Sequence, residues 1–390
     1  MVAFQFRWFT CLFLLMTVLP SAAQTTPATV VYGKVRQVSV AHNGSIWLTT
    51  STGNIYHTAS VDSFWQKGLQ TNPVSDYSGL STSFDRILFF SSDTAVLFGN
   101  IRCGSDTYER NCIRRTADGG RSWFVVRFGK EGAWVRHGQL LAGGVGYISA
   151  SNGRIYRTSD HGDTWVTLPN IFGKEREAYY RAPDLWSFHF ADTSTAIATN
   201  RSNHLAITIN GFASAQRIAT PLDQGLFQRV YKPYYLNGKG RKYVDNWNID
   251  KVRIFGDHLL VLQNGRMYHT RRDVIAWKAG SADVLDFEVD DASGRLFAIT
   301  ADQGVGEFAA DLSFTSWGQV NTGVRPLNIR VQRDVVYLLY ATYLDEVGTD
   351  VVREHVAGLA VTEKNHKRVG GYHVFRATPE EIRYTTVRSH

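Results

Sequence analysis

The segment from Arg157 to Trp165, "RTSDHGDTW", sets Ser159, Asp160, His161, Asp163 and Thr164 almost side by side. A hydroxyl, an imidazole and carboxylates are the parts of a nucleophile–base–acid relay, and the same groups ligate metals. Both chemistries need groups that converge from separate elements, whereas so short a run reads first as a turn. A near copy, "RTADGGRSW", lies at Arg115 to Trp123, roughly one 40-residue repeat earlier. The copy keeps an Asp, a Gly, a hydroxyl and a Trp but has no imidazole. What the two segments share is what a turn needs, so His161 is credited with no reaction.

The rest of the chain lacks the usual catalytic signatures. It contains no G-x-S-x-G elbow, no H-E-x-x-H and no Gly-rich phosphate loop. Its 12 His residues are scattered singly. Carboxylates for glycoside cleavage would have to come from separate loops, where Asp76, Glu177, Asp184 and Asp245 read as solvated acids. The sequence therefore assigns no catalytic residue, no metal ligand and no cofactor.

Residues 1–23 read as a secretory signal peptide. Arg7 is a sparse basic start, Trp8 to Leu19 an apolar core, and Ser21 and Ala23 are the small residues before a cut. The core is shorter than the ~20 residues of a spanning helix, and later apolar runs are strand-sized. The expectation is an extracytoplasmic protein, secreted or periplasmic, with no transmembrane segment after cleavage. Cys11 lies inside the leader. Cys103 and Cys112, the other two of three cysteines, read as a disulfide closing a short loop in an oxidising compartment. The charge of +7 is mild and spread along the chain; with an export signal it argues against a nucleic-acid partner.

Internal repeats set the fold. "TGNIYHT" (52–58), "NGRIYRT" (152–158) and "NGRMYHT" (264–270) are one motif, with "NCIRRT" (111–116) and "HVFRAT" (373–378) as relatives. Each follows a β-rich run and precedes an aromatic: Trp65, Trp123, Trp165, Trp277 or Tyr384. Strands such as "RILFF" and "VVYLLY" are apolar at nearly every position, hence buried on both faces. Such strands in hairpins repeating every 40–60 residues predict an all-β fold, a β-propeller of four-stranded antiparallel blades. Blades are expected to begin near Lys34, Thr82, Gly132, Leu185, Asp250, Ala282 and Pro326, which makes seven; six is the alternative. Residues 24–390 then form a single propeller domain.

The two opening segments also carry a family resemblance. Asp118, Gly120 and Trp123 in one, and Asp160, Gly162 and Trp165 in the other, resemble the Asp-box or BNR pattern S-x-D-x-G-x-T-W. In the second copy Ser159 is taken as the leading hydroxyl, adjacent to Asp160. Such boxes are found in sialidases, sortilin-type receptors, some endoglucanases and photosystem-assembly-factor-like propellers. There they occupy the turn between the third and fourth strands of a blade, which implies a structural role here. The sialidase constellation of arginines with a Tyr/Glu pair is not recognisable.

Long insertions carry the remaining signal: 67–82, 103–112, 169–184, 221–250 and 342–353. Blade-to-blade connections and second-to-third-strand turns leave a propeller on one face, and long ordered loops on a rigid scaffold usually bind something. Insertion 221–250 interleaves cations with aromatics, which suits a sugar, a peptide or an anionic polymer. The candidate binding residues are Tyr179, Tyr180, Tyr231, Tyr234, Tyr235, Arg241, Lys242 and Trp247. The function expected is a non-catalytic exported propeller binding a protein or glycan through its loop face. Its alternatives are an Asp-box glycoside hydrolase and an assembly factor for an extracytoplasmic complex. The sequence is silent on oligomeric state.

Overall fold

A computed structural model describes residues 30–31, 35–50, 53–60, 66–70, 83–101, 103, 111–129, 133–172, 185–200, 202–226, 231–236, 239–244, 249–263, 265–290, 292–302, 304–319, 325–344, 369–377 and 382–389. Six four-stranded antiparallel sheets follow one another along the chain, each with its strands in sequence order. Blade 1 comprises Val35–Val40, Ile46–Thr50, Asn54–Thr58 and Gln66–Gln70. The first strands of blades 2 to 6 are Ser83–Phe89, Val135–Leu140, Leu185–Phe190, Lys251–Phe255 and Val284–Val289. The first strand of each blade touches the first strand of the next. Arg325–Gln332 touches those of blades 6 and 1. These strands therefore encircle one axis, and the fold is a β-propeller.

Among the described residues, six four-stranded blades stand where seven were expected. The C-terminal strands Arg325–Gln332, Val335–Leu344, Val369–Ala377 and Ile382–Ser389 instead supply four strands of a five-stranded sheet. Val30–Val31 adds to its outer edge, parallel to the last strand. The N-terminal end of the described chain is thus pinned to the C-terminal one.

Burial is greatest in the second strands and least in the outermost. Second strands such as Ile46–Thr50 and Gly146–Ala150 are buried at every residue, whereas fourth strands such as Phe124–Arg127 and Val166–Thr167 are largely exposed. The apolar clusters lie between sheets: Trp47 and Ile55 pack with Ile87 and Leu97 across blades 1 and 2. Val38 and Leu48 pack with Tyr337 and Leu339, joining blade 1 to the C-terminal sheet. Polar side chains on the first strands add a second kind of link. Gln139 exchanges two hydrogen bonds with the backbone of Phe190, His189 Nδ1 accepts from Ile254 N–H at 3.1 Å, and Asp286 accepts from Ile329 N–H at 3.0 Å. Each bond ties one first strand to the next.

The turns at Asp118 and Asp160 have matching hydrogen bonds. Asp160 accepts from Thr164 N–H (2.9 Å), Thr164 Oγ1 (2.5 Å) and Thr158 Oγ1 (2.7 Å); Asp118 accepts from Ser122 N–H (2.9 Å), Ser122 Oγ (2.5 Å) and Thr116 Oγ1 (2.8 Å). The leading hydroxyl of the second copy is therefore Thr158, not the adjacent Ser159. Thr158 also accepts from Gly162 N–H at 3.0 Å. Trp165 and Trp123 sit just ahead of their fourth strands and donate Nε1–H to the carbonyls of Gly162 and Gly120. Both glycines have φ near +85° (84° and 88°), and a Cβ there would meet Val96 or Trp47 of the preceding blade at 2.7 or 2.6 Å. Each turn presses on its neighbour, and only hydrogen fits between.

A third copy went unrecognised in the sequence. Asn210 accepts from Thr208 Oγ1 (2.9 Å) and Ser214 N–H (2.9 Å), and Phe212 stands in the left-handed region (φ 65°) where the other turns have Gly. Phe212 is fully buried against Phe190. Asn for Asp, Phe for Gly and Ala215 for Trp erased the letters and kept the hydrogen bonds.

His161 belongs to the turn. It has φ 58°, its N–H donates to Gly144 O at 3.0 Å, its carbonyl accepts from Arg115 Nε at 2.9 Å, and its ring meets Phe90 edge-on. Cys103 and Cys112 form a disulfide with Cα atoms 5.7 Å apart.

Candidate functional site: the channel mouth and the 231–244 hairpin

The innermost strands share an irregularity. In blades 1, 2, 3, 4 and 6, and in the C-terminal sheet, the register with the second strand shifts at the second or third residue, beside Gln37, Arg86, His137, Ser187, Asp286 and Asn328. Blade 5 pairs without a shift. A bulge inserts one residue and re-aims side chains, so a ring of bulges at one end of the axis redirects a ring of side chains. The skipped residues Asp85, Arg136 and Trp186, with Gln37, Arg86, His137, Ser187 and the start of blade 5, line a cavity of about 160 Å³. The lining lies at strand starts, the end where blade-to-blade connections enter.

Behind the lining residues Lys251, Arg253 and Arg330 lies an ionic cluster. Asp286 and Glu288, two residues apart on one strand, face the same way. Lys251 Nζ stands 2.5 Å from Asp286 and 3.4 Å from Glu288. Arg253 forks onto Glu288 at 2.5 and 2.8 Å, and Arg330 Nη1 reaches it at 3.0 Å. With its amide turned so that the carbonyl oxygen faces the two guanidiniums, Gln37 accepts from Arg86 Nε at 3.1 Å and from Arg330. Burial pushes the Glu288 carboxyl up, but Arg253, Lys251 and Arg330 outweigh it and hold the group well below its ordinary value. Burial lowers Lys251 and Arg330 against the pull of those carboxylates. Burial also holds His137 well below the ordinary imidazole value, assisted by Arg86 and Arg253. Part of the His137 surface faces the cavity, yet the ring lies deep and its edge rests on Phe188. Burial raises Asp85, opposed by Arg36 and Arg136.

Among the described residues no group of three or more His, Cys, Asp and Glu is placed to hold a metal ion, and no helix is long and apolar enough to cross a membrane. The channel carboxylates are engaged by cations, an arrangement suited to holding charge.

Insertion 221–250 is anchored at both ends. Its first turn is fixed to blade 5, where Gln224 donates to Ile275 O at 3.0 Å and accepts from Trp277 N–H at 2.7 Å. It returns through Ile249, whose N–H donates to Asn203 Oδ1 at 2.8 Å, and Asp250 at the cavity mouth. Between them Tyr231–Leu236 and Lys239–Val244 pair as a two-stranded antiparallel sheet of their own. Of the expected binding residues, Tyr231, Tyr234, Tyr235, Arg241 and Lys242 lie on this hairpin; Tyr179, Tyr180 and Trp247 lie outside the described residues. The register sets Tyr234 opposite Arg241 and Pro233 opposite Lys242. Tyr234 and Arg241 thus share one face of the ribbon, and Tyr235 and Lys242 the other.

The channel residues were missed in the sequence, although a signal existed. "FDRILFF", "VRHGQL", "KVRIF" and "LDFEV" each place charge inside a strand that must be buried. A charge that cannot reach solvent points into the axis.

No family model and no curated protein matches the sequence. Among solved structures the chain is similar to selenomethionine-substituted virginiamycin B lyase from Staphylococcus aureus, with TM-score 0.53 and 11% identity over 80% of this chain and 93% of that one. It is similar to YCF48 bound to D1 peptide at TM-score 0.53 and 14% identity, over 81% and 93%. It is also similar to the computationally designed Ika8 protein at TM-score 0.50 and 8% identity, over 93% and 98%. Identities this low establish a shared propeller fold and nothing finer.

Proposed function

We infer that the chain is an exported, non-catalytic propeller that captures a protein or peptide partner at the channel mouth and the 231–244 hairpin. The observation that carries this reading is the ring of bulges, which aims charged and aromatic side chains into an axial cavity beside a long, doubly anchored insertion. Residues 1–23 act as the signal peptide, and 24–390 as one propeller domain. The C-terminal sheet counts as its seventh blade, since apolar clusters join it to blade 6 through Ile329 and Leu338 and to blade 1 through Tyr337 and Leu339. The turns at Asp118 and Asp160 are assigned as Asp-box turns with a structural role. The disulfide suits an oxidising compartment. A propeller of the same fold has been solved bound to a peptide, YCF48 with D1 peptide, which favours a peptide over a glycan.

The hairpin separates two variants: Tyr234→Ala with Arg241→Ala on one face, and Tyr235→Ala with Lys242→Ala on the other. Pulldown from the extracytoplasmic fraction, wild type beside both, should lose the same partner with one variant and keep it with the other. Profiles identical in all three proteins refute the role of the hairpin. Sugar release from a chromogenic glycoside, abolished by one Asp or Glu substitution, would replace the reading with a hydrolase.

A further inference from the structure

We propose that the outer strand of blade 2, Phe124–Arg127, accepts a strand from a partner protein, an extended segment in which β-branched residues alternate with Glu or Asp. The inference stands on this edge alone and requires neither the channel nor the hairpin to bind anything.

An open sheet edge invites pairing, and proteins blunt such edges with short strands, bulges, charge or a covering segment. Among the described residues the other edges follow that rule. The outer strands of blades 3 and 5, Val166–Thr167 and Lys278–Ala279, have two residues each, and that of blade 4, Gln216–Ile218, begins with Gln and Arg. Those of blades 1 and 6 break register with their neighbours beside Asn54 and Val305, and Val30–Val31 covers the edge of the C-terminal sheet. Blade 2 does none of this. Its outer strand of four residues pairs with Cys112–Thr116 without a shift, and Phe124 and Val125, on opposite faces, stand 58% and 39% exposed. Phe128 N–H donates to Asn111 O, so in this ladder Phe124 and Val126 bond inward. The N–H and C=O of Val125 therefore point to the open side.

The register also sets the chemistry of the occupant. Val125 lies opposite Arg114 in a pair of the closely spaced kind. A residue that an added strand places opposite Val125 shares that face, roughly 10 Å from Arg114 across two strand spacings, a gap that an arginine and a carboxylate side chain span together. Arg114 is half-buried. Among the described residues it has no ion pair, its Nε meets no acceptor, and burial lowers its guanidinium with no carboxylate pulling the other way. The nearby acids are engaged in the turns: Asp118 with Thr116 and Ser122, Asp163 with Arg115 at 3.1 Å, and Asp93 beside Gly119. A Glu or Asp opposite Val125 supplies the counter-charge, and its neighbours fall opposite Phe124 and Val126, where β-branched side chains match. A second copy of this chain would instead bring a second Arg114 to the same face, so a partner's acidic strand is favoured over self-pairing.

Fluorescence anisotropy with the full chain and a labelled peptide, Thr-Val-Glu-Val-Glu-Val-Thr, tests the edge, with Thr-Val-Lys-Val-Lys-Val-Thr as its charge-reversed counterpart. Saturable binding of the first, and binding of the second weaker by about tenfold, is the expected result. Val125→Pro removes the outward N–H while the ladder to Cys112–Thr116 keeps its bonds, and Val125→Lys blunts the edge with a charge. Both should abolish binding; where Val125→Pro lowers the melting temperature, Val125→Lys decides alone. Arg114→Gln should remove the preference for the acidic peptide. No saturable binding, equal affinity of wild type for the two peptides, or unchanged binding in Val125→Lys overturns the proposal. So does a wild-type dimer in light scattering that Val125→Lys dissolves, which would assign the edge to a second copy. The hairpin variant Tyr234→Ala with Arg241→Ala should bind the peptide as wild type does, so this reading and that of the hairpin fail separately.

Discussion

His137→Gln tests the electrostatics of the channel without touching its ion pairs. The imidazole follows the bulge of blade 3, with its ring edge on Phe188 at 4.7 Å and Arg86, Arg253 and Arg330 around it. Burial and the first two guanidiniums disfavour the protonated form; Glu288 pulls the other way and is outweighed, and Arg330 adds to the repulsion. In the unfolded chain the same imidazole titrates near its ordinary 6.5. The stability is therefore fully present above that value. It is lost as pH falls below it, because the unfolded state takes up a proton that the folded state refuses. The slope is at most about 1.4 kcal/mol per pH unit, so from about pH 7.5 to about pH 5 the loss reaches at most about 2 kcal/mol. His42, His57 and His269 are also held low by burial and add losses of their own, so the quantity to measure is a difference. Urea unfolding of wild type and His137→Gln across this range should give a shallower acid loss in the variant, by up to that amount. Equal slopes would mean that the folded channel protonates His137 as readily as water does, and burial beside Arg86 and Arg253 would not be holding the imidazole neutral.

Thr158→Val should destabilise the protein by about 1–3 kcal/mol, because the buried Gly162 N–H and the Asp160 carboxylate lose their shared hydroxyl; Ser159→Ala, one residue on, should be neutral by the same chemical denaturation. Double replacement of Cys103 and Cys112 by Ala should cost roughly 2–3 kcal/mol by the chain entropy of a short loop and leave the far-UV circular dichroism of the propeller in place. Thiol labelling of denatured, unreduced wild type should find neither of these cysteines free.

Blade boundaries were legible because a strand between two neighbours must be apolar throughout. The expected starts near Lys34, Thr82, Leu185 and Asp250 fall within a few residues of Val35, Ser83, Leu185 and Lys251. Count was less legible than position, since the last four strands join Val30–Val31 in a five-stranded sheet rather than a four-stranded blade. The opening segment was correctly read as a turn, but with the wrong hydroxyl. Ser159 sits where adjacency suggests, whereas Thr158 is the residue whose strand geometry points it at Asp160. The candidate binding residues on the hairpin were grouped by sequence proximity, and only the register separates Tyr234 from Tyr235.

The channel is where stability alone explains the sequence least well. A propeller axis of this width can be filled with apolar side chains, and at one position it is. Leu88 holds in blade 2 the register place that Glu288 holds in blade 6 and Arg330 in the C-terminal sheet, and it packs into the core between blades 2 and 3. Ion pairs buried in a protein interior seldom stabilise it more than well-packed hydrophobic residues of like volume. Several polar groups on the innermost strands have a structural account, since Gln139, Ser187, His189 and Asp286 each bond the backbone of the next innermost strand. Lys251 does the same through Phe287 O, whereas Arg253 and Arg330 reach blade 6 through the Glu288 side chain and Arg86 lines the cavity. A fold whose blades are already joined by apolar packing, by these backbone links and by turns pressed against their neighbours gains little stability from the buried guanidiniums of Arg253 and Arg330. Their role is then best sought in what the cavity admits.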